Sequence, residues 1–428
     1  MPVKVSGLKD VKEGEEVVLN GWLQEIRILK NISFIVLRDH TGTIQITSKP
    51  NLTTGYDMLA QMTRETVISV SGNLTRKTQS KSGVEVIAKS IEVLNISKSP
   101  LPLGVIDPVS ADIETRLTNR FLDLRKPEVA MIFRTESELL WGMREFFHNS
   151  DFIEVHTPKI VAAATEGGAD LFPVQYFEKQ AYLNQSPQLY KEILISAGLN
   201  RVFEVGPAFR AEKHNTPRHL NEFTSIDIEM GFADHHDAML MLQEGIKSGI
   251  RHLVAHRPDY VTSLPQHIDV PEGDFPKITY RECIKKLESQ GETAMFGEDF
   301  TPEQLKIIGG EFQGFYFITE WPSSLRAFYT HPKPGDEKVS NSFDLQYREF
   351  EITSGAQRVH DPAMLEERLR SKNLNPEDFS FYLNAFRYGM PPHAGWGLGL
   401  ERLSLIMLNL QNIREAILFP RDRTRITP

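Results

Sequence analysis

Cysteine is almost missing from this sequence, because Cys283 is the single one among 428 residues. One thiol excludes an internal disulfide and a metal cage built from cysteines, and this usage fits a reducing compartment. The first segment, MPVKVSGLKDVKEGEE, carries too many charges for a secretory signal peptide. We therefore expect a cytoplasmic protein.

Long apolar runs and the common phosphate-binding loops are missing as well. No segment approaches the roughly 18–20 apolar residues that a membrane helix requires, so we expect no association with a membrane. The sequence contains no G-x-x-x-x-G-K-[ST] motif and no G-x-G-x-x-G motif after a strand. A protein of this sequence that uses ATP must therefore hold it in another way.

Charge is distributed unevenly along the chain. The net charge is −9, but the first hundred residues contain 13 Lys and Arg against 10 Asp and Glu, which leaves −12 for the rest. The acidic total argues against simple coating of nucleic acid. Local basic patches can still bind RNA, since phosphate contacts act over short distances in salt.

The first hundred residues have the pattern of a small β-domain. Five short segments rich in β-branched residues are separated by Gly, Asn, Asp or Ser, and they span residues 17–26, 33–39, 43–48, 67–74 and 84–95. This pattern predicts a closed barrel of the OB-fold type, with a small β-sandwich as the alternative. We assign residues 1–103 to this domain.

A proline-rich segment then marks a domain boundary, since prolines at this density stiffen a linker; it contains Pro100, Pro102 and Pro108. We assign residues 104–130 to the linker and 131–428 to a second domain. Residues 131–150 have apolar positions at helical spacing, and the later strands and helices mix without β-α-β alternation. This predicts an α+β domain in which helices flank an antiparallel β-sheet, with a helical insertion at about 234–330.

The segment NEFTSIDIEMG separates polar from apolar side chains at strand spacing. Phe223, Asp227 and Glu229 share one face, and Ile226 lies on the other. An exposed aromatic ring can stack a purine, and a carboxylate about 13 Å away can hold an ammonium group. Arg210, delivered by the preceding strand, has a fork that suits a phosphate. A surface hairpin with solvated charges is the alternative interpretation.

Two further segments carry groups suited to charged ligands. In NSFDLQYREFEITSGAQR, Asp344 and Glu351 are candidate ligands for magnesium, which prefers few protein oxygens together with substrate phosphates; an amphipathic sheet edge is the alternative. In GWGLGLERL, glycines alternate at strand spacing, which often marks the close approach of a ligand or backbone. Arg402 then stands at the start of an apolar helix, whose N-terminus favours phosphate.

In this order, the segments resemble the three signature motifs of class II aminoacyl-tRNA synthetases. The first motif is the helix followed by FIEVHTPKI, the second is FRAE followed by HLNEF, and the third is GLGLERL. The class I signatures HIGH and KMSKS are absent. The preceding OB-like domain resembles subclass IIb, which handles aspartate, asparagine and lysine. Along nearly the whole chain, the sequence resembles the aspartyl-tRNA synthetases of the archaeal and eukaryotic type, on the strings ATEGGADLFPV, LNQSPQLYKE, SGAQR, YGMPPHAG and LFPRDRTRITP.

The resemblance implies an aspartate–tRNA ligase that uses ATP and Mg²⁺. Its ATP-binding residues would be Arg210, Ala211, Glu212, Arg218, His219, Leu220, Phe223, Glu351, Gly399, Leu400, Glu401 and Arg402. Within this set Arg210 and Arg402 would be catalytic, and Phe223 would stack the adenine. Magnesium would be held by Asp344, Glu351 and Ser354.

The same resemblance implies a pocket for L-aspartate, formed by Glu166, Gln188, Lys191, Arg210, Asp227, Ser354 and Arg358. Asp227 would help to hold the ammonium group, and Lys191 and Arg358 would pair with the side-chain carboxylate. Asparagine has nearly the same shape as aspartate, so charge must separate the two. An amide would leave both cations without a counter-charge, which costs on the order of 3–5 kcal/mol for a buried group.

The barrel would recognise the anticodon of tRNA(Asp), because such barrels stack single-stranded bases on aromatic side chains. The implied contacts are Phe34, Gln45 and Glu85, and a place for Phe34 in the barrel core is the alternative. Gln24 and Lys81 stand at positions associated in archaeal relatives with the choice between tRNA(Asp) and tRNA(Asn). Lys81 resembles the discriminating form and Gln24 matches neither pattern, so this choice stays open. The first motif also implies a homodimer.

Two other functions have to be weighed. An asparaginyl-tRNA synthetase is disfavoured by Lys191, because a neutral amide gains nothing from that cation. A non-catalytic OB-fold RNA-binding protein with a degenerate synthetase domain is disfavoured by the retained motif residues Arg210, Glu212, Glu351 and Arg402.

Overall fold

The computed structural model describes residues 2–76, 83–106, 111–162, 171–213, 216–264 and 268–428. The chain divides into two compact units, Met1–Lys126 and Pro127–Pro428, and the division falls inside the segment predicted as a linker. Within the described residues, no helix is both long enough and apolar enough to cross a membrane.

The first unit is a closed five-stranded barrel with the strand order β1-β2-β3-β5-β4. The strands are β1 (Glu16–Ile28), β2 (Ser33–Asp39), β3 (Gly42–Ser48), β4 (Val67–Arg76) and β5 (Val84–Asn95), and two short helices follow, α1 (Ile113–Thr118) and α2 (Arg120–Asp123). Each strand predicted from the sequence is present, and closure of the sheet confirms the OB-fold barrel over the β-sandwich.

Alternation of buried and outward-facing side chains along the strands gives the closed barrel its core. On β2, Ile35 and Leu37 are fully buried in the barrel core, whereas Phe34 and Val36, which alternate with them, lie on the outer face. A register shift between Leu23 and Glu25 makes Gln24 the extra residue of a β-bulge in β1. Such bulges bend a strand and re-aim the side chain.

The second unit contains nine helices and thirteen strands among its described residues. The helices are α3 (Pro127–Asn149), α4 (Gln188–Ser196), α5 (His235–His256), α6 (Pro258–Ser263), α7 (Tyr280–Ser289), α8 (Pro302–Gly309), α9 (Pro362–Ser371), α10 (Ser380–Arg387) and α11 (Leu400–Met407). The strands are β6 (Ile153–Glu154), β7 (Ile160–Val161), β8 (Pro173–Tyr176), β9 (Lys179–Leu183), β10 (Arg201–Phe209), β11 (Glu222–Gly231), β12 (Lys277–Thr279), β13 (Phe315–Thr319), β14 (Pro332–Lys333), β15 (Asp336–Ser340), β16 (Ser342–Tyr347), β17 (Phe350–Gln357) and β18 (His393–Gly399).

Eight of these strands form one sheet in the order β12-β13-β16-β17-β18-β11-β10-β6. Its central pairs, from β13 to β10, are antiparallel as predicted, but β12 pairs with β13 and β6 with β10 in parallel. The sheet is therefore mixed. Both parallel pairs join strands that are separated in sequence by helices, which is the connection that parallel neighbours require.

One face of the sheet is covered by α3 and α5, which form the main core with it. Leu139, Met143 and Phe147 of α3 are buried there, as their helical spacing predicted. The two helices approach closely at Gly142, where an added Cβ would lie 2.5 Å from the Cβ of His252. This packing leaves the opposite face of β11, β17 and β18 to carry polar side chains.

Candidate active site

A cavity of about 320 Å³ lies over the polar face of the sheet. Alternate residues of three neighbouring strands line it: Phe223, Ser225 and Asp227 on β11, Ser354, Ala356 and Arg358 at β17, and Gly397 and Gly399 on β18. Their apolar neighbours, such as Ile226 and Leu398, are fully buried in the core beneath. The parity predicted for Phe223 and Asp227 is thus confirmed.

At one end of the cavity, two cations converge on one carboxylate. Lys191 Nζ lies 3.5 Å from Glu229 Oε2, and Arg358 Nε and Nη2 donate to Oε1 and Oε2 of the same residue at 3.1 and 3.3 Å. Lys191 also donates to Asp227 Oδ1 and to the carbonyl oxygen of Trp396, both at 3.0 Å. The four charged side chains are at most 4% exposed.

This arrangement corrects one expectation. The two cations were expected to lack a counter-charge in the absence of an acidic substrate, whereas Asp227 and Glu229 already neutralise them. The pKa of Arg358 is accordingly above its ordinary value, because Glu229 and Glu192 outweigh the opposing effect of burial. A substrate carboxylate would therefore join a network that is already paired.

Two glycines make room for this network. A Cβ on Gly395 would lie 2.3 Å from Glu229 Oε2, and one on Gly397 would lie 2.9 Å from Asp227 Oδ1. Any side chain at these positions would displace the carboxylates. The close approach that the alternating glycines predicted is therefore made by carboxylates of the neighbouring strand β11.

Behind the cations, a second layer of buried polar groups begins at Gln188, in the first turn of α4. Its Oε1 accepts from Arg358 Nη2 at 3.3 Å, and its Nε2 donates to Glu192 Oε1 at 2.6 Å. Glu192 Oε2 in turn accepts from the hydroxyl of Tyr382 at 2.7 Å and contacts His393 Nε2 at 2.9 Å. These groups fix the rotamer of Gln188 and hence the position of the Arg358 guanidinium.

The other end of the cavity holds long charged side chains close to solvent. The guanidinium of Arg210 lies 5.3 Å from the centre of the Phe223 ring, and that of Arg218 lies 4.4 Å from the Phe350 ring. Arg402 Nη1 lies 3.5 Å from a carboxylate oxygen of Glu351, and these two side chains are 35% and 44% exposed. Flat aromatic surfaces beside guanidinium groups suit a nucleotide.

Two carboxyl groups, Glu401 and the half-buried Glu136, lie beneath this end. Glu401 is 2% exposed, its two carboxylate oxygens share the backbone N–H of Thr224, and burial raises its pKa to about 7. Glu136 of α3 accepts from the hydroxyl of Ser404 at 2.9 Å, and burial together with the charge of Glu401 raises its pKa to about 8. The first and third motifs thus meet at a pair of carboxyl groups that favour their protonated forms.

The predicted magnesium ligands lie on the adjacent hairpin. Asp344 is buried on β16, its Oδ1 accepts from the Ser354 hydroxyl at 2.7 Å, and its Oδ2 accepts from Arg326 Nη2 at 2.7 Å. Burial raises the pKa of Asp344 to about 6, and the negative charge of Glu351 adds to this effect. Each carboxylate oxygen has a second lone pair, so an all-oxygen set of two carboxylates and a hydroxyl fits Mg²⁺. Within the described residues, no group of three or more His, Cys, Asp and Glu forms a metal site by itself.

The cavity brings together most of the residues predicted for ATP and the amino acid. Those that line it are Gln188, Arg210, Glu212, Arg218, His219, Leu220, Phe223, Asp227, Glu351, Ser354, Arg358, Gly399, Glu401 and Arg402. Lys191 lies just behind the lining. Leu400 is buried in the main core, and Ala211 lies in the loop after β10. Glu166 lies outside the described residues.

The anticodon candidates share the outer face of the barrel. Phe34 is half-buried on that face and not part of the core, which excludes the alternative interpretation of this ring. Gln45 Nε2 donates to Glu85 Oε2 at 2.9 Å, and the two residues stand opposite each other on β3 and β5. Gln24 lies at the bulge of β1, and Lys81 lies outside the described residues.

The sequence analysis left several residues in or behind the cavity without a role. Glu229 was placed on the same strand face as Asp227, but its pairing with Lys191 and Arg358 was not predicted. Arg326 and Tyr329 come from a loop before β14 and reach the cavity through the tertiary fold. His393 lies in the string YGMPPHAG, whose resemblance to the family gave it no role.

Comparison with known families assigns both units. A model of the class II tRNA synthetases (D, K and N) matches residues 112–423, and a model of the OB-fold nucleic acid binding domain matches residues 17–94.

Two curated relatives cover the chain from end to end. The chain is 61% identical over 426 residues to the aspartate–tRNA(Asp) ligase of Thermoplasma volcanium, and the match covers 100% of this chain and 99% of that ligase. It is 48% identical over 430 residues to the aspartate–tRNA(Asp/Asn) ligase of Archaeoglobus fulgidus, with 100% of both chains covered. Among solved structures, the asparaginyl-tRNA synthetase of Pyrococcus horikoshii complexed with asparaginyl-adenylate is similar with a TM-score of 0.94 and 32% identity over 100% of both chains.

Proposed function

The chain belongs to the class II tRNA synthetases of the aspartate, lysine and asparagine group, and from this premise we propose that it joins L-aspartate to tRNA(Asp) at the expense of ATP. Its single cysteine fits work in the cytoplasm. The reaction has two steps, activation of aspartate as aspartyl-adenylate and transfer of the aspartyl group to the terminal ribose of the tRNA.

The convergence of Lys191 and Arg358 at the inner end of the cavity carries this proposal. Their side chains meet at Glu229 and are nearly excluded from water. A substrate carboxylate offers only acceptor oxygens to these donors, whereas an amide would turn an N–H donor toward them. Arg358 borders the cavity and has five N–H groups, of which Nε and Nη2 engage described residues. Asp227 offers its carboxylate to the ammonium group of the same substrate.

Activation of aspartate requires positioning and neutralisation of charge. The substrate α-carboxylate attacks the α-phosphorus of ATP, and pyrophosphate leaves on the opposite side. Arg210 and Arg402 line the cavity at its nucleotide end, where they would neutralise the charge that develops on the phosphoryl oxygens. Phe223 offers a flat surface on which the adenine can stack, and Glu212 lies at the same wall.

Asp344, Glu351 and Ser354 would hold Mg²⁺, whose contribution when bound is to neutralise phosphate oxygens. The ion has to share Asp344 with Arg326, which donates to one of its carboxylate oxygens. The raised pKa of Asp344 favours a cation over a bare carboxylate at this place, because positive charge relieves the cost of burying the ionised form.

We assign the anticodon-binding domain to residues 1–103, the linker to 104–130 and the catalytic domain to 131–428. Phe34, Gln45 and Glu85 would contact the anticodon from the outer face of the barrel. The names of relatives that are 61% identical favour charging of tRNA(Asp) alone over charging of tRNA(Asn) as well. We also infer a homodimer formed through α3 and β6, whose Trp141 and Ile153 are 60% and 49% exposed.

The decisive experiment is pyrophosphate exchange with aspartate, asparagine and lysine as separate substrates. Exchange with aspartate at least 100-fold faster than with the other two is expected, since a site that donates hydrogen bonds to a carboxylate rejects an isostere that offers an N–H donor in its place. Preference for asparagine would establish the asparaginyl enzyme, and no exchange with any of them would establish the non-catalytic protein. Charging of tRNA(Asp) and tRNA(Asn) transcripts side by side then determines the tRNA specificity.

The variant Phe34→Ala tests the function of the first domain separately from that of the second. We expect about tenfold weaker charging of tRNA(Asp), because stacking on one aromatic contributes roughly 1–3 kcal/mol per base, with unchanged aspartate-dependent pyrophosphate exchange. Val36→Ala is the matched control on the same strand, with a residue that also lies on the outer face of β2. Loss of exchange in the Phe34 variant would point to misfolding instead of weakened tRNA binding.

A further inference from the structure

His393 is fully buried behind the amino-acid end of the cavity, and both its ring nitrogens face oxygen atoms. Nδ1 lies 2.8 Å from the carbonyl oxygen of Pro391, and Nε2 lies 2.9 Å from Glu192 Oε2. A carbonyl oxygen only accepts hydrogen bonds, so Nδ1 carries a proton and donates it to Pro391.

One more proton has to lie between Nε2 and Oε2. Without it, a lone pair on nitrogen would face a lone pair on a carboxylate oxygen in the protein interior, where a missing hydrogen bond is costly. The same carboxylate accepts from Tyr382 and from Gln188, and these donors favour its ionised form. His393 therefore holds the proton as an imidazolium, and the pair has no net charge.

Burial alone would raise the pKa of Glu192, but the hydrogen bond and charge of His393 hold it below its ordinary value. This direction agrees with the geometry of the pair.

The state of this pair reaches the cavity through Gln188. Because Glu192 accepts from its Nε2, the amide oxygen of Gln188 is turned to Arg358 Nη2. If Glu192 lost its histidine partner, Gln188 and Tyr382 would be the donors that remain to it. Its negative charge would then act on the Arg358 guanidinium without the opposing charge of His393.

The number of buried charges shows what the loss of the shared proton would do to the pocket. The buried ionisable groups connected here are the three cations Lys191, Arg358 and His393 and the three anions Asp227, Glu229 and Glu192. With the shared proton the cluster is neutral. Without it the cluster carries one excess negative charge, which opposes an anionic side chain far more than an amide.

We propose that His393 is a positioning residue for amino-acid selection: through the proton that it shares with Glu192, it orients Gln188 on Arg358 and keeps the buried cluster neutral, so that the pocket accepts a carboxylate in preference to an amide. The inference rests on the function proposed above and adds to it the residue that sets the charge of the pocket.

The groups that face this histidine define its environment. From α4 comes Glu192, from α10 Tyr382, and from the neighbouring strands and the segment after β17 come Glu229, Arg358 and His360. Burial lowers the pKa of His360, and the charges of His331 and His393 add to this effect.

The test compares the full-length protein with His393→Gln and with the double variant His393→Gln, Glu192→Gln, in aspartate-dependent pyrophosphate exchange. The single variant keeps a donor for Glu192 and removes the positive charge, so its KM for aspartate should rise about tenfold or more, with little change in the KM for ATP. The double variant restores neutrality and should recover most of that loss.

Three results would overturn the inference: equal increases in the KM for aspartate and for ATP, no change in either, or a double variant that is worse than the single one. Tyr382→Phe removes a neutral donor from the same Glu192 oxygen and no charge, so its KM for aspartate should rise less than that of His393→Gln. If His393→Gln does not fold, the double variant decides the question: a KM for aspartate close to that of the unmodified protein is expected, and a rise of tenfold or more would overturn the inference. Failure of the unmodified protein to exchange with aspartate would instead refute the proposed function.

Discussion

The two ends of the cavity hold charged groups in opposite ways. At the amino-acid end, Lys191, Asp227, Glu229 and Arg358 are at most 4% exposed and are fixed by contacts to one another. At the nucleotide end, Arg402 and Glu351 are 35% and 44% exposed, and His219, near Glu212, is 38% exposed.

This difference follows from what each end has to recognise. Aspartate and asparagine differ by one charge and almost nothing in shape, so recognition requires charges held rigidly away from water, where they interact strongly. A nucleotide triphosphate carries several charges and a large aromatic base. Long exposed arginines can close on it and still be held in place by the ligand itself.

The largest effect should come from Lys191→Leu. It leaves Asp227 without its cation in the interior and Glu229 with Arg358 alone, so aspartate-dependent exchange should fall by about 10³-fold or more and stability by roughly 3–5 kcal/mol, while ATP binding persists in the folded fraction. Exchange kinetics, ATP binding and thermal unfolding measure the three quantities. Lys247→Leu is the matched control, a lysine that is 7% exposed and bound to the carbonyl oxygen of Gly273; it should lose stability and keep its preference for aspartate. Equal loss of ATP affinity in Lys191→Leu would break the distinction between the two ends.

A smaller effect, confined to catalysis, is expected for Arg402→Ala. Loss of one cation near the phosphates should lower the exchange rate about 10²-fold and raise the KM for ATP, with no change in thermal stability because the side chain is partly exposed. Arg370→Ala, which removes an arginine that is 64% exposed and paired only at the surface with Glu366, should change none of these values. A large drop in unfolding temperature for Arg402→Ala would show that the nucleotide end is as rigidly built as the amino-acid end.

The smallest effect should be a shift in stability with pH from the carboxyl groups beneath the nucleotide end. The pKa values of Glu136 and Glu401 are raised from the ordinary 4.5 to about 8 and about 7, burial being the larger cause. The folded protein therefore holds these protons more tightly, so their stabilisation is complete below pH 4.5 and is lost as the pH rises through 7 and 8. Glu136→Gln, which keeps an acceptor for Ser404, should raise the unfolding temperature at pH 8.5 by roughly 2–4 °C and flatten its pH dependence.

Thermal unfolding between pH 5 and 9 checks this expectation. Glu145→Gln is the matched control on α3, because the Glu145 side chain is 59% exposed. An identical pH dependence in Glu136→Gln and in the unmodified protein would show that Glu136 and Glu401 are solvated and that their protonation does not contribute to stability.

Local patterns explain how much of the fold was predictable. Alternation of apolar residues placed all five barrel strands, and helical spacing placed α3. The parallel edge strands β6 and β12 escaped prediction because each is two or three residues long, too short for any periodicity. Which segments form the edge strands depends on the helices that connect them to the rest of the sheet.

In the site as well, contacts between residues close in sequence could be predicted, and contacts between distant residues could not. Asp227 and Glu229 share a strand face, so their common direction follows from the backbone alone. Arg326 and His393, by contrast, reach their carboxylate partners Asp344 and Glu192 across 18 and 201 residues of chain. Nothing in the spacing of residues along the sequence marks such contacts.

By itself, the amino-acid sequence determined the five barrel strands, helix α3 and the polar face of β11, because steric preferences and periodicity act over a few residues. Only the tertiary structure decided that Lys191 and Arg358 are balanced by Asp227 and Glu229. The energy of a charge depends on how far water is excluded from it and on which groups stand within a few ångströms, and both are properties of the packed chain.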